Sequence, residues 1–293
     1  HLHVNLVERM LALLEEDQQG RIQIGDLTHQ FAADRAARTG YQDAAAGREA
    51  AGSSGARATV HLAALQVPFC KADPAAGARA NVVGTVNVFE AARALGITRI
   101  AYASSVAAYG ALEDGGAMPT LYGAYKYCDE QIAKVYAADW GIQSLGIRPG
   151  VVYGVGRDQG LTSKTTIAIL PAAAGAPYQV PFRGPVSWLY TGEVAAAFIA
   201  AIGQEARGSP VFDLNGVYAP VEEGLAILRR IAPDTALSVA GEALAFPMDR
   251  PDKPLHDYLG GYPQVSLQDG ITEAYQAFRS LLDRGLVDTQ GIQ

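Results

Sequence analysis

The sequence predicts an α/β fold in which a doubly wound parallel sheet is followed by a smaller C-terminal region. Short apolar runs with strand-like composition alternate with longer segments of helical periodicity along the first half of the chain. The second half is punctuated by proline and glycine and breaks into shorter segments. Strands separated by helices of this length form parallel sheets through right-handed crossovers, with ligand sites at the carboxyl ends of the strands.

The first half supplies most of the predicted sheet. Strands are predicted at 21–24, 58–62, 99–103 and 144–148. Helices are predicted at 81–93, where four apolar side chains lie near one face, and at 122–140. The segment 32–56 is rich in alanine, glycine, arginine and serine, and we expect a helix and a loop there.

Beyond Gly154 the pattern becomes irregular, because several glycines and prolines interrupt it as far as residue 185. Later elements are predicted as helices at 191–202, 221–231 and 267–284 and as a strand at 211–214. We therefore expect a Rossmann-like dinucleotide-binding domain over 1–155, to which 186–215 returns. The smaller C-terminal substrate-binding region would consist of 156–185 and 216–293.

Composition excludes several classes of function. The 293 residues are 49% hydrophobic and 18% charged, as in a globular protein, and the net charge of -7 without a basic stripe argues against nucleic acid or anionic membrane as partners. Cys70 and Cys128 are the two cysteines, and they lack metal-ligand spacing, so no disulfide scaffold and no metal site is expected. A cytoplasmic setting fits this cysteine usage, and no apolar run is long enough to cross a bilayer.

Three residues form a candidate proton-transfer site. Tyr122 and Lys126 are four apart in a predicted helix, so they share a face and the ammonium can stabilise the ionised phenol. Ser105 follows the predicted strand at 99–103 and therefore lies at a carboxyl end of the sheet. The spacing alone is weak evidence, since the chain has 14 tyrosines; a tyrosine packed on a helix surface beside a solvated lysine is the alternative.

Several motifs in order resemble the extended branch of the short-chain dehydrogenase/reductase superfamily, the NAD-dependent epimerase/dehydratase group. They are Gly25-Asp-Leu27, His61-Leu-Ala-Ala64, Asp73-Pro74, Asn81-x-x-Gly84-Thr85-x-Asn87, Ser104-Ser105-x-x-x-Tyr109-Gly110, Tyr122-x-x-x-Lys126 and Ile147-Arg-Pro-Gly-Val-Val-Tyr-Gly154. Later segments around Trp188 and Ser266 extend the resemblance over roughly the whole chain.

The resemblance implies a role for each matching residue. Tyr122 would be the acid/base, Lys126 would support it and bind the nicotinamide ribose, and Ser105 would bind the same substrate oxygen. His61 would be structural. The residues implied in binding NAD or NADP are Asp26, Leu27, Ala63, Ala64, Asn81, Tyr122, Lys126, Pro149, Val151 and Val152. The alternatives are that Asp26 is a turn residue or helix cap and that Asn81 is an ordinary N-cap.

The chain departs from the family pattern at its start and on the substrate side. The first strand and the first glycines of the Gly-x-x-Gly-x-x-Gly turn are missing, which leaves two interpretations open. Either the natural protein has these parts, or it has lost them. Val186 stands where sugar-nucleotide enzymes of the group place an arginine. The replacement candidates are Arg157, Arg183 and Arg250, although solvated loop charges are the alternative for such residues.

The leading hypothesis is an NAD(P)-dependent oxidoreductase or epimerase that acts on a sugar or sugar nucleotide. The alternative is a catalytically silent Rossmann-like binding or scaffold protein that lacks the dinucleotide loop. By resemblance we also expect a homodimer in which helices 81–93 and 122–140 pair with their copies.

Overall fold

The computed structural model describes residues 57–112, 116–157, 160, 162–244 and 249–287. The predicted strand at 21–24 and the predicted helix and loop at 32–56 lie outside this part of the chain. None of the helices it contains is both long and apolar enough to cross a membrane. The strands of the described residues are β1 (Ala58–His61), β2 (Arg99–Ala103), β3 (Leu145–Pro149), β4 (Val152–Tyr153), β5 (Tyr178–Val180), β6 (Pro185–Tyr190), β7 (Val211–Leu214), β8 (Val217–Pro220) and β9 (Leu237–Val239).

Helices connect most of these strands. The α-helices of the described residues are α1 (Val67–Ala72), α2 (Pro74–Ala78), α3 (Gly84–Leu95), α4 (Leu121–Trp140), α5 (Lys164–Ala174), α6 (Thr191–Ile202), α7 (Val221–Ile231), α8 (Lys253–Leu259) and α9 (Leu267–Asp283). A π-helical turn (Arg79–Val83) leads into α3, and a 3₁₀ helix (Val106–Ala111) follows β2. The predicted bounds of α6 and α7 are confirmed, and those of α4 and α9 differ by one residue.

The main sheet has four parallel strands in the order β1-β2-β3-β7. Side chains of β2 alternate between its two faces, as in any strand. Ile100 and Tyr102 pack with Phe89 of α3 and with α4, whereas Ala101 packs on the opposite face with Phe198 of α6. Helices therefore cover both faces of the sheet, which confirms the predicted α/β, doubly wound fold class.

A second hydrophobic core lies in the C-terminal part of the chain. Trp188 of β6, Leu225 of α7 and Ile271 of α9 are buried in it. β5 pairs with β9 in parallel, and β6 lies between β4 and β8. These strands and helices follow the main sheet along the chain. Strand β7 lies among them in sequence, but it belongs to the main sheet.

Helix α5 contradicts the expectation of irregular structure between 156 and 185. It contains Pro171, which removes one backbone donor and normally breaks a helix. Eight of its eleven residues are buried, and it packs on α9. Burial of an almost entirely apolar helix therefore outweighs the local cost of proline, a tertiary effect that periodicity does not reveal.

Candidate active site

The candidate site lies where β1, β2 and β3 end side by side. Thr120 caps α4 by accepting a hydrogen bond from the Gly123 amide at 3.0 Å. A Cβ atom on Gly123 would lie 2.2 Å from the Ala107 carbonyl oxygen, so only glycine allows α4 to approach the 3₁₀ helix this closely. This contact brings the first turn of α4, with Tyr122, beside the segment that begins at Ser105.

The two serines after β2 have different environments. Ser105 is half-buried, and its hydroxyl accepts a hydrogen bond from the Ala107 amide at 3.1 Å, which caps the 3₁₀ helix. Ser104 is buried and donates to Glu130 of α4 at 2.5 Å. Ser104 therefore joins β2 to α4, whereas Ser105 remains the serine with partial access to solvent.

Lys126 is almost completely buried, and its ammonium contacts two groups. It donates a hydrogen bond to the Ala103 carbonyl at 2.7 Å and forms an ion pair with Asp129 at 3.5 Å. Tyr122, one turn earlier on the same helix, is half-buried. No hydrogen bond joins Tyr122 to Lys126 within the described residues, so their cooperation stays a prediction.

Glu130 and Arg148 form a buried ion pair that the sequence analysis did not identify. The guanidinium donates to both carboxylate oxygens, from Nε at 2.7 Å and from Nη2 at 2.6 Å. This pair ties α4 to the end of β3, and Ser104 adds a third donor to the carboxylate. The sequence feature that could have identified Glu130 is the acidic pair Asp129-Glu130, which follows Lys126 by three and four residues.

His61 ends β1 and has the structural role that the family resemblance implies. Its Nε2 lies 3.0 Å from the Thr85 hydroxyl, which in turn donates to the Asn81 carbonyl at 2.7 Å. The Nε2 atom therefore carries the hydrogen of this bond. Burial, with a smaller effect of the nearby Lys126 ammonium, lowers the pKa of His61 to about 3, so the ring is neutral at physiological pH.

Asn81 lies within the π-helical turn, which excludes the alternative that it is an ordinary N-cap. Its buried side-chain amide donates to the carbonyl oxygens of Leu65 at 3.1 Å and Gly77 at 2.9 Å. These bonds fasten the loop after β1 to α2 and to the turn. Asn81 thereby supports the loop that carries Ala63 and Ala64.

The family resemblance predicts that a dinucleotide lies beside the loops that follow β1 and β3. Ala63 is exposed and Ala64 half-buried, so the loop after β1 leaves its surface open. After β3 the chain is held tightly, because the Gly150 amide donates to Leu214 at 2.8 Å and the Val151 amide donates to the Ser187 hydroxyl. Pro149 and Val152 flank this turn and are half-buried. Asp26 and Leu27, which would bind the adenine half, lie outside the described residues.

The three candidate arginines lie in different settings. Arg157 reaches the loop after β1, with Nη1 3.3 Å from the Gln66 side-chain oxygen. Arg183 is exposed, and its backbone bridges to Ala243. Arg250 stacks on the ring of Tyr109 at 4.0 Å.

The Tyr109 ring also contacts Arg148 at 4.5 Å, and its hydroxyl donates to Asp213 of β7 at 2.8 Å. Burial and this hydrogen bond raise the pKa of Tyr109, so it remains a neutral phenol. Arg250 is therefore the candidate arginine that contacts the segment following Ser105. Val186 is fully buried in the C-terminal core and presents no group to a ligand.

The comparisons with known proteins agree with this geometry. The family profile described as "NAD dependent epimerase/dehydratase family" matches residues 8–215. The chain belongs to this family. The match confirms the resemblance read from the motifs and the expected dependence on NAD.

Two curated relatives match by sequence. A UDP-glucose 4-epimerase of Mycolicibacterium smegmatis is 30% identical over 236 residues, which are 75% of this chain and 75% of that protein. An uncharacterized protein of Methanocaldococcus jannaschii is 36% identical over 104 residues, so the match spans about a third (32%) of each.

Solved structures share the fold. A UDP-glucose 4-epimerase of Thermus thermophilus in complex with NAD has a TM-score of 0.63 at 24% identity, with 79% of this chain and 82% of that chain covered. A monomeric L-threonine 3-dehydrogenase from a metagenome database has a TM-score of 0.75 at 16% identity, with 96% and 97% covered. Since both identities are below 25%, these likenesses establish the fold alone.

Proposed function

We propose that the chain is an NAD(P)-dependent oxidoreductase or epimerase that acts on a sugar or sugar nucleotide, with Tyr122 as the proton-transfer group. The observation that supports this is the close packing of α4 on the segment after β2, which gathers Ser105, Tyr122 and Lys126 at the carboxyl end of one strand. A bound nicotinamide would accept or return a hydride.

The proposed roles follow from the environment of each side chain. Tyr122 takes a proton from a substrate hydroxyl, or returns it to a carbonyl, from its half-buried position at the start of α4. Ser105 donates a hydrogen bond to the same substrate oxygen, since its own hydroxyl accepts from a backbone amide and keeps its hydrogen available. Lys126 supplies a positive charge beside the reacting groups and holds the ribose of the cofactor.

The substrate class rests on the sequence relative named UDP-glucose 4-epimerase. Arg250 and Arg157 are the proposed contacts of a substrate anion, because both lie on segments that reach the strand ends, and exposed Arg183 is a weaker candidate. UDP-glucose, UDP-galactose and the corresponding free sugars are therefore the first compounds to compare. L-Threonine belongs in the same comparison, since the chain shares its fold with a threonine dehydrogenase.

Cofactor binding separates this function from the silent-scaffold alternative. The natural full-length protein is titrated with NADH and with NADPH while nicotinamide fluorescence is followed. Saturable binding by one of them is expected, and Ala63→Trp should abolish it because Ala63 is exposed beside the proposed cleft. Ala94→Trp is the matched control, since Ala94 is an exposed alanine near the C-terminal end of α3. Absence of a signal at millimolar cofactor would favour the silent scaffold.

We also propose a homodimer formed through α3 and α4. Leu95 of α3 and two residues of α4, Val135 and Trp140, are large apolar side chains exposed on these helices, and Val83 is exposed just before α3. Ile132, which also belongs to α4, is partly buried and packs against the core between α3, α4 and the sheet. Burial of this face against a second copy would remove the exposed apolar surface from water.

A further inference from the structure

The side chain of Asp129 has no assigned function, although it lies beside a central residue of the site. Its carboxylate is 3.5 Å from the Lys126 ammonium, and the two side chains are 1% and 2% exposed. They are three residues apart on α4, so the helix itself sets their separation. The contact therefore does not depend on a loop conformation or on solvent.

The surroundings of Asp129 are otherwise poor in groups that stabilise a carboxylate. Neither of its oxygens receives a hydrogen bond of good geometry from the described residues. Burial raises the pKa of Asp129 to about 6, and the Lys126 ammonium opposes that effect. A buried carboxylate without hydrogen bonds is costly, so the nearby cation is the interaction that compensates it.

The other groups that face Asp129 do not replace Lys126. From β1 comes His61, which is neutral, and from β2 comes the phenol of Tyr102, whose pKa burial raises. From α3 comes the hydroxyl of Thr85, a neutral group that lowers the pKa of Asp129 less than Lys126 does. On α4 itself, the Cys128 thiol has its pKa raised by burial and by Asp129, and the carboxylate of Glu130 is paired with Arg148.

We propose that Asp129 is a positioning residue of the site, whose carboxylate holds the Lys126 ammonium at the end of β2 and compensates its charge. Together with the Ala103 carbonyl, Asp129 fixes the direction of the lysine side chain. The inference rests on the proposed function only in assigning Lys126 a role in the reaction. The ion pair itself can be tested without a substrate or a cofactor.

Replacing the carboxylate by an amide of similar shape isolates its charge. In Asp129→Asn the buried ammonium has no counter-charge, so the neutral amine becomes relatively more stable. An opposite charge within about 4–6 Å changes the titration of a group by about 1–3 pH units. The step that Asp129 produces in the Lys126 signal as it ionises near pH 6 should therefore be present in the unchanged protein and absent in Asp129→Asn.

Lysine NMR can follow the Lys126 signal by itself, because the chain contains only five lysines. The full chain is labelled with ¹³C at lysine Cε, and the Lys126 signal is assigned by its loss in Lys126→Arg. Asp139→Asn is the matched control, since Asp139 is an exposed aspartate of the same helix, and it should leave the step near pH 6 in the Lys126 signal unchanged. Asp129→Glu keeps an ionisable carboxylate on this face of α4, so a step in the Lys126 signal should still be present.

The outcome that overturns the proposal is a step near pH 6 in the Lys126 signal of Asp129→Asn that equals the step in Asp139→Asn. If Asp129→Asn does not fold, the unchanged protein still decides: the Lys126 signal should show a step near pH 6 as Asp129 ionises, and a featureless curve there refutes the pair. NADH titrations run in parallel separate the two ideas. An unchanged protein that does not bind NADH contradicts the proposed function. The pH series of the lysine signal tests the role of Asp129 alone.

Discussion

Glu130→Gln should destabilise the protein strongly. Glu130 is 1% exposed and accepts three hydrogen bonds, two from Arg148 and one from Ser104. Glutamine has the same shape, but its amide group turns one acceptor into a donor that faces the guanidinium. Breaking a buried ion pair by removing one partner costs about 3–5 kcal/mol, because the other charge stays buried and uncompensated.

Urea unfolding followed by circular dichroism measures this cost, provided that the dependence on urea concentration is the same in both proteins. Glu205→Gln is the matched control, since Glu205 is exposed and accepts one hydrogen bond from Thr98; it should cost less than about 1 kcal/mol. The double variant with Arg148→Met and Glu130→Gln should lose about 2 kcal/mol less unfolding free energy than the sum of the losses in the two single variants. Equal losses in Glu130→Gln and Glu205→Gln would refute the importance of the buried pair.

Three further predictions concern pH, packing and assembly. The raised pKa of Asp129 means that the folded state binds this proton more tightly than the unfolded chain, so its contribution is full below pH 4 and is lost as pH rises through about 6. Between these limits the unchanged protein should lose about 3 kcal/mol of unfolding free energy relative to Asp129→Asn, for a shift of about two pH units; parallel stability curves would contradict this. Gly150→Ala should destabilise by about 1–3 kcal/mol, because its Cβ would lie 2.1 Å from the Ser187 hydroxyl oxygen. The added methyl group of Gly84→Ala has room in α3, so this variant should raise the free energy of unfolding by about 0.5–1 kcal/mol in the same urea experiment. Val135→Asp should halve the mass found by light scattering at micromolar concentration, and a monomeric unchanged protein would refute the proposed dimer.

The sequence predicted best what depends on local pattern. Helix α6 is a continuous apolar run and α7 has strong apolar periodicity, and the predicted bounds of both agree with the structure. Helix α5 was missed because Pro171 argues locally against a helix, whereas burial of its side chains against α9 decides the outcome. Such a result depends on contacts about one hundred residues apart along the chain.

The candidate site shows the same division. Ser105, Tyr122 and Lys126 were singled out from spacing and motif, and their roles stay a prediction. In the structure Ser105 follows β2, Lys126 donates to the Ala103 carbonyl at its end, and Tyr122 lies one turn earlier on α4. The pairing of Glu130 with Arg148 could not be read from the sequence, because a charged residue in a helix is usually solvated. The stacking of Arg250 on Tyr109 joins residues about 140 positions apart and likewise requires the fold.

Turnover of Tyr122→Phe is the most direct test of the proposed chemistry. It is measured with whichever compound of the sugar and sugar-nucleotide comparison the unchanged protein converts fastest. We expect a loss of about 100-fold or more with an unchanged circular dichroism spectrum, because phenylalanine keeps the ring and removes the proton-transferring hydroxyl. Tyr125→Phe is the control from the same turn of α4; its hydroxyl donates to the Pro74 carbonyl at 2.9 Å, and turnover should stay close to that of the unchanged protein. Equal activity of the two variants would contradict the assignment of Tyr122 as the acid/base.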